Sequence, residues 1–107
     1  MTTFDNREKA FEDMFVHDED VAFKVRARRT KLLASWAAEQ LGLTSDAAAA
    51  YVQGLTKANL SPASYERVLR ILGADFNAKG FHISDQDLRA KGEQVLAEAV
   101  QQVQSGL

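Results

Sequence analysis

"SPASYERVLRILGADFNAKGFHIS", residues 61–84, carries the start, the face and the end of one helix. Tyr65, Val68, Leu69, Leu72 and Phe76 recur at the three-and-four spacing that puts apolar side chains on a single helical face. Ser61 suits an N-cap, and Pro62 suits the first helical position, where a missing N–H costs nothing. Gly80 suits the left-handed conformation that closes a helix, with Phe81 placed to seal the cap by an apolar contact. The stretch predicts a helix over 62–79.

The same punctuation recurs on both sides. Ser84 and Asp87 have capping-box spacing, Asp85 and Asp87 favour the positive end of a helix dipole, and Leu88, Gly92, Val95, Leu96, Ala99 and Val103 form one stripe, predicting a helix over 85–104. Upstream, Val25, Leu32, Leu33, Trp36, Ala37 and Leu41 predict a helix over 20–41 that Gly42 stops, with Trp36 as a core anchor. Ala48, Tyr51, Val52 and Leu55 predict another over 45–57 before Asn59 and Ser61 break it. Strand alternation and hairpin turns are absent. Short links between amphipathic helices give an all-α fold: a small four-helix bundle over residues 21–105, preceded by a mobile arm, residues 1–20, that becomes helical on binding.

With 107 residues the chain has length for one modest core. It contains no cysteine, which excludes disulfides, thiolate metal sites and a cysteine nucleophile, and fits a reducing compartment. A net charge of −2 exerts no global pull on nucleic acid or anionic lipid, and no apolar run approaches the roughly 20 residues that cross a bilayer. The expectation is a cytoplasmic protein, monomeric when free, that neither binds nucleic acid nor inserts into a membrane.

Catalytic constellations are missing too: there is no phosphate loop, no nucleophile elbow and no histidine pair at metal spacing, so the chain reads as a non-enzyme without a metal or obligate cofactor. His82 reads as a surface histidine, whereas Asp18, Glu19 and Asp20 after His17 favour its protonated form. Lys24, Arg26, Arg28, Arg29 and Lys31 make a basic block just behind an acidic one, a pattern that fits internal pairing or a charged protein partner. Gly54, Gly73 and Gly92 inside helices admit two explanations, close helix approach or a cavity for a small ligand such as an adenine nucleotide bound weakly.

The arm itself is the least conventional part. On a helix, Phe4, Phe11, Phe15 and Ala22 fall within about 20° of one line, with Met14 to one side, a narrow apolar seam on an acidic rod. Ordering a backbone residue costs about 1–2 kcal/mol, and burying a phenylalanine returns about 1.5–3 kcal/mol, so three rings over a dozen polar residues do not hold the arm on the bundle by themselves. Reservation for a partner's groove is the functional reading; a fifth piece of helix packed on the domain is the plainer one.

"TFDNREKAFEDMF", "HDED", "FKVRARRTKLLASWAAEQLG" and "HISD" together resemble an alphaproteobacterial family formerly catalogued as a domain of unknown function, the ATPase inhibitor zeta subunits. The resemblance covers nearly the whole chain and is most specific from Thr3 to Gly42. It implies a four-helix domain whose mobile N-terminal region binds the catalytic sector of the F-type ATP synthase at a catalytic interface and blocks ATP hydrolysis, at the inner face of the cell membrane. Carried onto this sequence, it implies partner contacts at Phe4, Asp5, Arg7, Glu8, Phe11, Glu12, Phe15, His17 and Asp18, extended by Lys24, Arg28 and Arg29; Met14 joins the expected partner surface through its place beside the seam. Asp13, Met14 and Val16 stand where the family more often has Ala, Lys and Ala, so an expected basic contact is apolar here.

Overall fold

A computed structural model of the chain describes residues 19–58 and 62–106. The arm's first eighteen residues and the Ser61 cap lie outside them. Four helices and no strand occur among the described residues: α1 Glu19–Gln40, α2 Ser45–Ala58, α3 Pro62–Ala78 and α4 Asp85–Gln104. The all-α four-helix architecture expected from the periodicity is the one observed.

Two of the connections close by the same device. After α1, Leu43 N–H donates to the Ala38 carbonyl and Gly42 N–H to the Glu39 carbonyl, with Gly42 at φ +78°. After α3, Phe81 N–H donates to Phe76 and Gly80 N–H to Asn77, with Gly80 at φ +83°. Both are Schellman ends, in which a left-handed glycine lets the chain satisfy the last carbonyls while turning away. The Phe76 and Phe81 rings meet edge to face at 6.3 Å, the apolar seal that completes the second. At the start of α4 the Ser84 hydroxyl accepts from Asp87 N–H at 3.0 Å, the predicted cap.

α1 packs against each of the other three helices. Its buried residues, Ala22, Val25, Arg29, Thr30, Leu33, Ala34, Ala37 and Ala38, span roughly 220° of its circumference at 100° per residue. Leu33, Ala34, Ala37 and Leu41 enter the main core with Leu55 of α2, the whole predicted face of α3, and Leu88 and Val95 of α4. Ala22 and Val25 join Leu96 and Ala99 of α4 in a smaller cluster at the other end. Trp36 and Leu32, expected inside, are only half-buried, because the arc that faces the neighbours is centred on the alanines instead. Ala48, Tyr51, Val52 and Val103 are likewise half-buried.

Of the three mid-helix glycines, Gly92 resolves toward packing. A Cβ built on Gly92 would overlap the Tyr65 hydroxyl and stand 3.2 Å from its Cζ, so α3 and α4 meet through the missing side chain. Gly73 has ordinary space, 3.6 Å to Leu88 Cδ1, and Gly54 faces nothing within 4 Å. Close helix approach therefore accounts for Gly92. Between α2 and α3, Tyr51 Oη donates to Asp75 Oδ2 at 2.6 Å. Between α3 and α4, Arg89 takes both Glu66 oxygens at 3.0 and 2.8 Å and Asp85 at 2.7 Å, an exposed clamp of small energetic weight.

Gly92→Ala is expected to destabilise the fold by about 1–3 kcal/mol through overpacking against Tyr65, whereas Gly54→Ala, open to solvent in mid-helix, gains about 0.5–1 kcal/mol; urea unfolding of both variants checks the contrast. Burial first, and then the Asp75 carboxylate, raise the Tyr51 phenol above its ordinary value of 10.0. The neutral phenol is therefore the form the fold favours, so its contribution is complete below about pH 10 and is lost as pH rises beyond it. The stability advantage over Tyr51→Phe, about 1 kcal/mol at neutral pH, should shrink above pH 10 in denaturant titrations.

Candidate functional site

The outward strip of α1 carries the chemistry that the bundle leaves over. Lys24, Arg28 and Lys31 follow one another at spacings of four and three, which align them along one helix face. Beside them a groove of about 550 Å³ runs between the N-terminal half of α1 and the last turn of α4. Val21, Phe23, Ala27 and Val103 give it an apolar floor, and Thr56 of α2 closes one side. Phe23 is 47% exposed, an unusual position for a ring with an apolar surface available to it. The groove is thus apolar along its bed and cationic along its rim.

The rim residues differ in freedom. Lys24 and Lys31 are exposed. Arg28 is half-buried and donates from Nη1 to Gln102 Oε1 of α4 at 2.8 Å, which holds its head at the groove edge. Arg29 points the other way: it is 3% exposed, and its guanidinium carbon stands 3.7 Å over the centre of the Tyr65 ring. Of the three bundle residues expected at a partner interface, Lys24 and Arg28 border the groove and Arg29 is enclosed between α1 and α3. The expected contacts from Phe4 to Asp18 lie outside the described residues.

Two further hollows lie along α1. One, of about 680 Å³, continues past Lys31 between α1 and α2 over Ser35, Ala38, Leu43 and Val52. The other, about 270 Å³, gathers Trp36, Phe76, Phe81 and His82 at the far end of α1, with Lys91 Nζ 5.4 Å from the Trp36 ring centre. His82 is exposed, as its turn position predicts. No cluster of His, Asp and Glu able to hold a metal ion occurs among the described residues, and none of their helices is long and apolar enough to cross a membrane. The groove was not readable in advance, since Thr56 and Val103 reach it from distant parts of the chain. The one sequence-level hint was Phe23, an apolar residue on the basic side of α1.

The chain matches the family model described as ATPase inhibitor subunit zeta over residues 1–102. No curated protein matches it.

The positions of Lys24 and Arg29 predict opposite mutational behaviour. Lys24→Ala should leave stability within about 0.5 kcal/mol, and Arg29→Ala should cost at least about 2 kcal/mol by removing a desolvated cation from an aromatic face. Thermal unfolding of the two variants reads the difference directly.

Proposed function

This chain belongs to the ATPase inhibitor subunit zeta family, and from that premise we propose that it restrains the F-type ATP synthase by binding the enzyme's catalytic sector. The family description names an inhibitor subunit of an ATPase; the partner surface and the mode of inhibition are our reading. Residues 2–20 are the inhibitory element. They insert as a helix at a catalytic interface, with Phe4, Phe11 and Phe15 as anchors and Asp5, Arg7, Glu8, Glu12 and Asp18 setting orientation. Met14 lies beside the seam and adds apolar contact, and His17 adds a charge that depends on pH.

The observation that carries this reading is the aromatic seam joined directly to α1, a helix that the rest of the fold surrounds. A wedge that obstructs a rotary enzyme needs a rigid base, and α1 provides one. Lys24 extends the contact where the arm leaves the bundle, with Arg28 behind it. The protein acts by occupancy and performs no chemistry. It works in the cytoplasm, at the inner membrane face when bound, and as a monomer otherwise.

Hydrolysis of ATP by the purified catalytic sector of the same organism, with the intact chain or a version starting at Val21, tests this. The expected outcome is inhibition by the intact chain and its loss in the shortened one. Equal inhibition by both forms sinks the arm mechanism, and binding without inhibition by either transfers the role to assembly or tethering of the synthase.

A further inference from the structure

The far end of α1 holds a hollow that inhibition by the arm leaves unused. It amounts to about 270 Å³ between the last turns of α1, the end of α3 and the first turn of α4. Trp36, Phe76 and Phe81 line it with three rings, and Asp87 adds a carboxylate. Pockets for whole drug-sized molecules run from about 300 to 1,000 Å³, so this one suits a compact head group.

The three rings turn around the hollow without stacking. Trp36 and Phe76 have centroids 5.5 Å apart with planes at 55°, and Phe76 and Phe81 meet at 6.3 Å and 83°. Phe76 is buried, Trp36 half-buried and Phe81 50% exposed, so the middle ring is fixed while its two neighbours keep part of their surface open. The backbone delivers Phe81: Gly80 at φ +83° lets Phe81 N–H donate to the Phe76 carbonyl at 2.8 Å, which returns the chain over the helix it has just left.

Charge selects what such a surface attracts. Aromatic faces draw cations that come within about 6 Å of the ring centre. Trp36 already does so, with Lys91 Nζ at 5.4 Å. The Asp87 carboxylate is exposed and, among the described residues, pairs with no cation, whereas Asp85 is taken by Arg89. A primary ammonium or a guanidinium entering a hollow lined mainly by rings would leave donors without acceptors, at a cost in desolvation. A quaternary ammonium has no donor to strand.

We infer that this hollow binds a quaternary ammonium head group, its methyl groups against Trp36, Phe76 and Phe81 and its charge facing Asp87. The same chemistry is carried by a free solute such as choline and by a trimethylated lysine of a protein. Lys91 is the internal competitor. It stands one turn after Asp87 on the same face of α4, its ammonium opposes a second cation near Trp36, and its 3.4 Å contact with Gln94 Oε1 is too long to hold it firmly. The site is independent of the proposed inhibition and needs no synthase.

Trp36 is the sole tryptophan, so its indole N–H gives one unambiguous NMR signal in the full chain. Choline chloride, titrated against sodium chloride at matched ionic strength, should shift that signal and the amides of Gln40 and Phe81 saturably. The uncharged carbon isostere of choline should bind at least about fivefold more weakly. Asp87→Asn and Phe81→Leu should each weaken choline about two- to fivefold, and Lys91→Gln should strengthen it by a similar factor, a gain that unfolding cannot produce. A peptide bearing trimethyllysine, run beside its unmodified form, separates the sources: binding tighter than choline assigns the hollow to a protein side chain, and equal or weaker binding assigns it to the free solute. Shifts that stay linear in choline, that the isostere reproduces, or that ignore all three substitutions would overturn the inference.

Discussion

The rest of the structure depends on α1 being surrounded. A helix that touches three neighbours cannot bury a narrow stripe; it must offer apolar or satisfied surface over more than half of its girth, and those neighbours must approach closely. Ala22, Ala34, Ala37 and Ala38 meet that requirement because a methyl group keeps helix axes near one another where larger side chains would hold them apart. What remains of the circumference is a single strip, and the charge that the buried arc excludes is concentrated there. The basic rim of the groove is therefore a by-product of burying α1.

Tyr65 shows how tightly that arrangement is specified. Its ring lies under the Arg29 guanidinium from α1, and its hydroxyl occupies the space that a side chain on Gly92 of α4 would need. One phenol thereby ties three helices, with a cation enclosed in the join. Burying an arginine is tolerable only when its donors and its face are engaged, and an aromatic face is one of the few neutral surfaces that attracts a cation. Replacement of any one member leaves the other two mismatched in size or charge.

The sequence disclosed these features unevenly. α3 was fully readable: all five of its periodic residues are buried, since it lies on the core by one face only. The glycine helix ends were readable for the same local reason, being set by backbone conformation within a few residues. The periodicity of α1 points to a stripe through Leu32 and Trp36, and the structure turns both partly outward. A helix packed on several sides has no single periodic face, so its alanines and the buried Arg29 and Thr30 look unremarkable in sequence. Gly92 was ambiguous between a contact and a cavity until Tyr65 was placed. The aromatic arm stood out at once, whereas the groove, assembled from three helices, had no linear signature.

The place where the arm joins the bundle has a mechanical consequence. Glu19 begins the helix that every other helix grips, so a force delivered there runs along the axis of α1. To yield, α1 would have to slide past three neighbours together, straining many contacts in shear at the same moment. A segment attached to a peripheral helix would meet less resistance, because such a helix peels away one turn at a time. The topology puts the tether on the element best able to bear a load.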